Sequence, residues 1–585
     1  MSASPVDLNS RLGTLAGLRR FWLNRQKVWW AFVVVAVIWA TIQAGLWRGP
    51  LVNPGGWALV IRLLNGLLHP RVDAAFLLLT LDSTLVTLAY AVSGTALSLL
   101  LGIAGGILSS EVWWQAHQGG FTNSPTDKVR NRAPWLVVRA VLAIPRAIHE
   151  VIWGLLFVSV LGLAPLVGVL AIAIPFGAIC AKVFSEILDE QPRGPFQAIL
   201  SSGASPGKAY LYGLLPLALP NLISYAFYRL ECSIRSATVL GLIGAGGLGF
   251  QILLSLQSLR YEELLPLLVA LLLLSGLTDL WSARMRQRIG GSSRIDLNWG
   301  SAQQNGRMHQ SSKAASGFVR FSVLAVLLLV LVSFLYLKPD FTSLLSPRTA
   351  QLFAGIVEDA FPPRLPQEGM WEMIRLTLQT LSISILAMAG ASALGMVAAF
   401  MAAHPTWKRP VRAWERNPLF WQSLPFHLLP LLARGLLLLA RAVPTPIWAL
   451  IFLFVLFPGV LPGAIALGIH NWGIAGRLMA ESVENMNEKP LQSLQGLGAS
   501  EPQIILYGAL PAALPSFISY ILYRWENCLR ETVIVGLVGA GGLGRLISEQ
   551  LSSFDYAGLS ATLLVLIGLT FLVDLLSASM RSALR

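Results

Sequence analysis

Charge is scarce in this chain. Of its 585 residues only 12% are Asp, Glu, Lys or Arg, against roughly a quarter in an ordinary soluble domain. That shortage, beside 55% hydrophobic residues, argues against a large soluble enzyme. Cysteine is rarer still: Cys180, Cys232 and Cys528 all lie in or beside apolar segments, which excludes a disulfide framework and a cysteine metal cluster. A phosphate-binding P-loop is also missing. The nearest stretch, "GASPGKA" (Gly203 to Ala209), is one residue short and lacks the Ser/Thr that holds Mg²⁺. The equivalent "GASEPQI" has no lysine, so Lys208 reads as a solvated loop charge. No repeated Ser/His/Asp or His-cluster pattern supports a membrane enzyme.

What the chain has in abundance is long apolar runs. "VWWAFVVVAVIWATIQAGLW" (Val28 to Trp47) carries no charge over about 20 residues, enough to cross a bilayer as a helix. "LLPLLVALLLLSGLTDLW" from Leu264 and "FSVLAVLLLVLVSFLYL" from Phe321 read the same way. The first run follows the basic "RRFWLNRQK", but it is too long for a signal-peptide core and has no small-residue cleavage site, so a retained helix is expected.

Shifted by 295 residues, the chain lands on itself. Arg146, Arg229, Glu231, Arg235, Gly244 and Asp279 meet Arg441, Arg524, Glu526, Arg530, Gly539 and Asp574. "YRLECSIRSATVLGLIGAGGLG" and "YRWENCLRETVIVGLVGAGGLG" share 12 of 22 positions. "TLVTL" at Thr84 meets "TLQTL" at Thr377. Two copies of one membrane unit are therefore fused. The expected boundaries are an N-terminus 1–27, a first repeat 28–285, a polar flexible linker 286–318 and a second repeat 319–585. Six spans are expected in each repeat, near 28–47, 77–107, 135–162, 165–187, 217–240 and 264–281, then 321–337, 374–402, 429–458, 460–480, 512–535 and 560–580. The fold class is an all-α polytopic membrane protein with about twelve transmembrane helices.

Basic clusters at the N-terminus, Asp127 to Arg132, Arg284 to Arg288, Trp407 to Arg416 and the terminal "RSALR" fall on one side of that topology, which predicts cytoplasmic termini and parallel repeats. The net charge of +14 follows from this asymmetry and from anionic lipid. No soluble domain is left to bind nucleic acid. The same topology bears on Gly244-x-Gly246-x-x-Gly249 and its copy. A dinucleotide turn needs a strand before it and a soluble βαβ unit around it. Here the glycines follow a membrane span, so they are expected to break a helix, packing backbones closely or opening amides to a cavity. Gly244, Gly246, Gly247, Gly539, Gly541 and Gly542 enter the expected substrate path on that ground.

Charges inside spans mark function by default. Arg229, Glu231 and Arg235, with Arg524, Glu526 and Arg530, form the strongest set. Two readings stand: the arginines meet an anionic substrate, or each Glu simply neutralises the Arg four residues on. Lys182 and Arg477 read as snorkelling cations paired with Glu186 and Glu481. Asp279 and Asp574 read as makers of local hydrogen bonds, and His149 as a helix-terminal residue.

The loop between the fourth and fifth spans reads "EQPRGPFQAILSSGASPGKAYLYGLLPLALP" in the first repeat and "NEKPLQSLQGLGASEPQIILYGALPAALP" in the second. Each holds a short helical run, a Gly-Ala-Ser turn and a Leu-Pro start to the next span. This resembles the EAA loop of ATP-binding cassette (ABC) importer permeases, with Gln in place of the initial Glu. Together with "RAVPTPIWALIF" from Arg441, "YRxExxxR" and "LVDLLSASMR" from Leu572, the pattern resembles the permease subunit of phosphonate ABC importers over residues 75–285 and 370–585. The first repeat has His149 where the second has Pro444, so a proline kink is expected in one half only.

The resemblance implies two parallel six-helix permease repeats of the type I, methionine-permease-like class, and a channel for phosphonate, phosphite or phosphate in a bacterial inner membrane. Coupling residues would be Gln197, Ala198, Gly203, Ala204 and Ser205, with Gln492, Ser493, Gly498, Ala499 and Ser500. Partners would be a dimer of ATP-binding subunits, which use the ATP and Mg²⁺, and an extracytoplasmic binding protein, with no cofactor on this chain itself. A methionine or osmoprotectant permease, or a twelve-helix secondary transporter, stands as the alternative.

Overall fold

A computed structural model describes residues 25–47, 51–117, 125–289, 313–365, 369–403 and 420–584. Most of the expected linker, the N-terminal segment and the Trp407 to Arg416 basic cluster lie outside these residues. The described elements are helices, joined by one isolated bridge between Val52 and Leu456. The first half holds α1 (Arg25–Gln43), α2 (Gly56–Leu68), α3 (Ala74–Ser109), α4 (Glu111–His117), α5 (Pro125–Ala147), α6 (Glu150–Leu161), α7 (Pro165–Asp189), α8 (Gly194–Ser201), α9 (Leu215–Leu240), α10 (Gly247–Gln257) and α11 (Leu264–Ile289). The second half holds α12 (Lys313–Leu337), α13 (Pro347–Ala360), α14 (Gly369–Ala402), α15 (Phe420–Ala442), α16 (Thr445–Val455), α17 (Val460–Glu484), α18 (Lys489–Gly496), α19 (Leu510–Val535), α20 (Gly542–Ser552) and α21 (Tyr556–Leu584).

Among the described residues, eight helices are long and apolar enough to span a bilayer, and two further pairs are bent spans. The other two of the twelve expected spans are α1, which is shorter, and α17. The latter has 25 residues but carries His470, Asn471, Arg477 and Glu481, which lower its hydropathy. Lipid, rather than water, explains the outer surface. On α12, Phe321, Leu324, Leu327 and Leu328 each expose 60% or more of their area, which only a hydrocarbon solvent accommodates.

Each half is built around one tight helix pair, α3 with α7 and α14 with α17. Small residues allow the approach: a methyl group at Gly102 would sit 2.4 Å from Cys180 Cβ, so the backbones meet as small-residue helix pairs do in membranes. Cys180 is therefore packing, free and buried. The Asp73 carboxylate caps α3 by accepting from Phe76 N at 3.2 Å, and the Arg71 guanidinium beside it holds its pKa below the usual carboxylate value.

The first helix of each half lies against the other half. Helix α1 packs on α14, and α12 packs on α3, where the Tyr336 hydroxyl donates to Asp82 at 2.6 Å. The bent spans complete the exchange: α6 touches α13 and α16 touches α2.

The bends correct one expectation. Helices α5 and α6 meet at 84°, and α15 and α16 at 92°. The first half is thus kinked without a proline at position 149. His149 and Pro444 are both N-caps in extended backbone, with φ −69° and ψ 147° against φ −60° and ψ 147°. His149 reaches the conformation because its imidazole accepts from Val151 N at 3.4 Å, offering the chain a helix start there.

The repeated glycines close a second contact. After α9 and α19 the chain turns through Gly244 (φ +94°) and Gly539 (φ +100°), then Gly246 and Gly541, into α10 and α20. Helix starts leave amides unpaired, and here the "TLVTL" and "TLQTL" threonines take them. Leu248 N donates to Thr87 Oγ1 and Leu543 N to Thr380 Oγ1, both at 2.8 Å. Thr87→Val should leave that buried amide without an acceptor and lower stability by about 1–3 kcal/mol. Thr87→Ser should restore most of it. Thermal unfolding of the purified protein decides; equal midpoints for the Val and Ser variants would remove this role.

Candidate functional site

A cavity of about 430 Å³ lies between the two halves. Its walls come chiefly from α9 and α19, with residues from α5–α7 and from α15–α17. At one end Val239, Ile534 and Val151 form an apolar contact across the two halves, backed by Leu155, Ile243 and Leu537. Val239 and Ile534 are equivalent positions of the repeat, so the seal sits where the halves meet. At the other end the lining reaches Asn485 and Asn487, where the α17–α19 loop begins. The cavity is closed beside the glycine turns and reaches toward the start of the α17–α19 loop.

Arginine dominates the lining: eight guanidinium groups against four glutamates. Such a surface favours a compact anion, since guanidinium presents a planar fork of donors to oxyanions. Arg229, Glu231, Arg235, Arg524 and Arg530 all line the cavity. Glu526 does not. Its carboxylate accepts from Arg581 at 2.7 Å, while Arg530 donates to Asn527 and, at 3.1 Å, to the Arg146 carbonyl. The expected symmetry of two i,i+4 pairs is therefore broken. The six path glycines also stand outside the lining: their turns lie at the closed end, with amides taken by Thr87, Thr380 and Gln379.

Glu231 is the centre of a cluster that spans the halves. Its Oε1 stands 3.3 Å from Arg441, 3.4 Å from Arg477 and 3.7 Å from Arg235. Asp279 joins it, accepting from Arg477 at 3.2 Å and from Arg441. Two expectations fall here. Arg477 does not snorkel: besides Glu481 at 2.9 Å, it bridges to two acids of the other half. Asp279 makes no local hydrogen bond of the expected kind, because the arginines opposite lie nearer. Lys182 does pair with Glu186, at 4.0 Å and largely exposed.

Sequence reasoning missed Arg441, Arg477, Glu150 and Glu531 as site residues. Arg441 was visible as a repeated charge beside Arg146. Glu150 and Glu531 lack acidic counterparts (Thr445 and Ser236 stand there), so a search for repeated features passes over them. The Ser236 hydroxyl donates to Glu150 at 2.7 Å, and Glu531 accepts from Arg524 at 3.0 Å.

The two loops are built alike. Gln197 and Ala198 lie on α8, Gln492 and Ser493 on α18. Gly203 (φ +87°) and Gly498 (φ +86°) turn the chain, Ala204 and Ala499 follow, and Ser205 and Ser500 are N-caps of the next helical turn. Phe196 anchors α8 among Tyr210, Leu214 and Ala209.

Comparison with known proteins agrees with this architecture. The family model described as "Binding-protein-dependent transport system inner membrane component" matches twice, at residues 119–291 and 423–585. The chain is 26% identical to the phosphate-import permease protein PhnE of Mycolicibacterium smegmatis, over 90% of this chain and 89% of that one. It is 34% identical to the phosphite transport system permease protein PtxC of Stutzerimonas stutzeri, covering 39% of this chain and 76% of that one. With the putative cryptic phosphonate transport system permease protein PhnE2 of Escherichia coli it shares 38% over 20% of this chain and 96% of that one. A duplicated helical unit, a cavity walled by both copies and a double match to one family lead to one conclusion: this chain belongs to the inner-membrane components of binding-protein-dependent transport systems and carries that domain twice.

Proposed function

We propose that the chain is the complete membrane channel of an ABC importer for a phosphorus oxyanion: phosphonate, phosphite or phosphate. The observation that carries this reading is the cavity between the halves, where guanidinium outnumbers carboxylate two to one. The names of the relatives point to the same cargo class. The α8 and α18 loops dock two ATP-binding subunits, which supply ATP and Mg²⁺ chemistry, and an extracytoplasmic binding protein delivers cargo at the Val239–Ile534 end. The repeats divide at the expected boundaries, 28–285 and 319–585, with both termini cytoplasmic. Rocking of the halves opens that seal and closes the loop end.

Reconstitution with the ATPase and binding protein in proteoliposomes tests this. ATP-dependent uptake of phosphate, phosphite or methylphosphonate is expected; uptake of methionine or a betaine and of none of the three would overturn it. A second result isolates the loops. No atom lies within 4 Å of a Cβ built at Gly203 or Gly498, so in Gly203→Val with Gly498→Val the β-carbon meets open space and the cost falls on the left-handed turn, about 1–2 kcal/mol per site. The membrane part should stay folded while uptake and cargo-stimulated hydrolysis are lost. Full stimulation in the double variant would show that these loops do not couple the two.

A further inference from the structure

The two halves hold the same arginine in opposite states. In the second half Arg524 is satisfied: its Nε and Nη2 donate to Asn471 Oδ1 at 3.0 and 2.6 Å, and Nη2 also meets Glu531 at 3.0 Å. In the first half Arg229 is just as buried, 7% exposed against 9%, and it lines the same cavity. Yet its Nε and Nη2 have no hydrogen-bond partner among the described residues. The sequence shows the cause. Phe176 occupies the place of Asn471, and Ser236 the place of Glu531. The guanidinium stacks 3.8 Å above the Phe176 ring, which supports its face and supplies no acceptor to its edge.

A buried guanidinium edge without an acceptor is costly, and chains seldom keep one without a ligand. Nε with Nη2 is the edge that binds two oxygens of a carboxylate or phosphate side by side. On Arg524 that edge is already filled, by Asn471 Oδ1 against both nitrogens and by a Glu531 oxygen on Nη2. We propose that cargo is held by one half only: the Nε/Nη2 edge of Arg229 takes the oxyanion, and Asn471 together with Glu531 fills the equivalent place on Arg524 permanently. This rests on the phosphorus-oxyanion reading above and narrows it to a single asymmetric site. The edge is shut from solvent in this conformation, as suits a state that has released its cargo. Rotation about the Arg229 side-chain torsions brings the edge to the cavity when the halves rock.

The second half also shows how to block the site. Glu150→Thr with Ser236→Glu writes the Thr445 and Glu531 pattern into the first half and gives Arg229 an internal carboxylate. In the reconstituted importer, uptake of phosphate, phosphite or methylphosphonate should fall about tenfold or more in this double variant and in Arg229→Met. The thermal midpoint of the detergent-purified complex separates binding from packing. Arg229→Met strands no acid, so its midpoint should hold or rise, whereas Arg524→Met strands Glu531 and should lower it. Uptake by Arg229→Met within about twofold of wild type, or a midpoint as low as that of Arg524→Met, overturns the single site while the importer function stands. A wild-type importer that carries none of the three oxyanions overturns both together.

Discussion

A single methyl group added at Gly249 is expected to cost the protein its folded membrane core. Built on the backbone, that carbon would lie 1.8 Å from the Thr238 carbonyl oxygen, and the equivalent one at Gly544 would lie 2.2 Å from that of Val533. Both obstacles are backbone, so no side-chain rotation relieves them. Helix α10 must separate from the end of α9, breaking the Thr87 contact and the apolar seal above the cavity. Overpacking of this kind costs about 1–3 kcal/mol even where neighbours adjust, and here the neighbour is the helix that carries Arg229 and Glu231. Gly249→Ala should lower both the yield after extraction and the thermal midpoint. Gly194→Ala is the control: nothing lies within 4 Å of its added methyl, and alanine suits a first helical turn. Equal midpoints for the two variants would show that the turn tolerates the shift.

The charge cluster predicts the second large effect. Arg441 holds Glu231 and Asp279 of the other half. Removing one member of a buried charge cluster costs up to about 3–5 kcal/mol, and Arg441→Met leaves Arg477 as the one guanidinium within hydrogen-bond reach of both acids among the described residues. Arg441→Met should therefore destabilise the chain severely, and adding Glu231→Gln with Asp279→Asn should recover much of the loss. Arg146→Met, the mirror change, should do less, because Glu526 already has Arg581 at 2.7 Å. Thermal unfolding measured on the four proteins checks the order. A triple variant no more stable than Arg441→Met would mean that the arginine acts by packing alone.

Much of this was legible in the sequence because it repeats. The shift of 295 residues exposed the duplication, and apolar runs placed the spans. Intramembrane charge singled out Arg229, Glu231 and Arg235 before any cavity was seen. Gly203 and Gly498 read as turns because glycine alone enters a left-handed conformation without cost. The rest depended on which residues meet in space. Nothing at His149 announces a bend, since the imidazole works as a cap only once the chain has turned. Arg477 looked like a lipid-facing cation because its partners lie in the other half. Thr87 and Leu248 belong to two separate repeated motifs, and only folding shows that they are one contact. Glu531 was the hardest to see. Its importance comes from being unlike Ser236, and a search for sameness discards differences.

The exchanged first helices have a consequence for biosynthesis. Helix α12 emerges when its docking partner α3 is already in place. Helix α1 does not, because α14 is made only after the whole first half and the segment that joins the halves. At roughly 5–20 residues per second, that interval is on the order of tens of seconds. Throughout it, α1 must rest in lipid as a lone helix, which its uncharged sequence from Val28 to Ile42 permits. Co-translational assembly of the first half thus stays provisional, and the clasp of α1 on α14 is among the last events to lock the channel together.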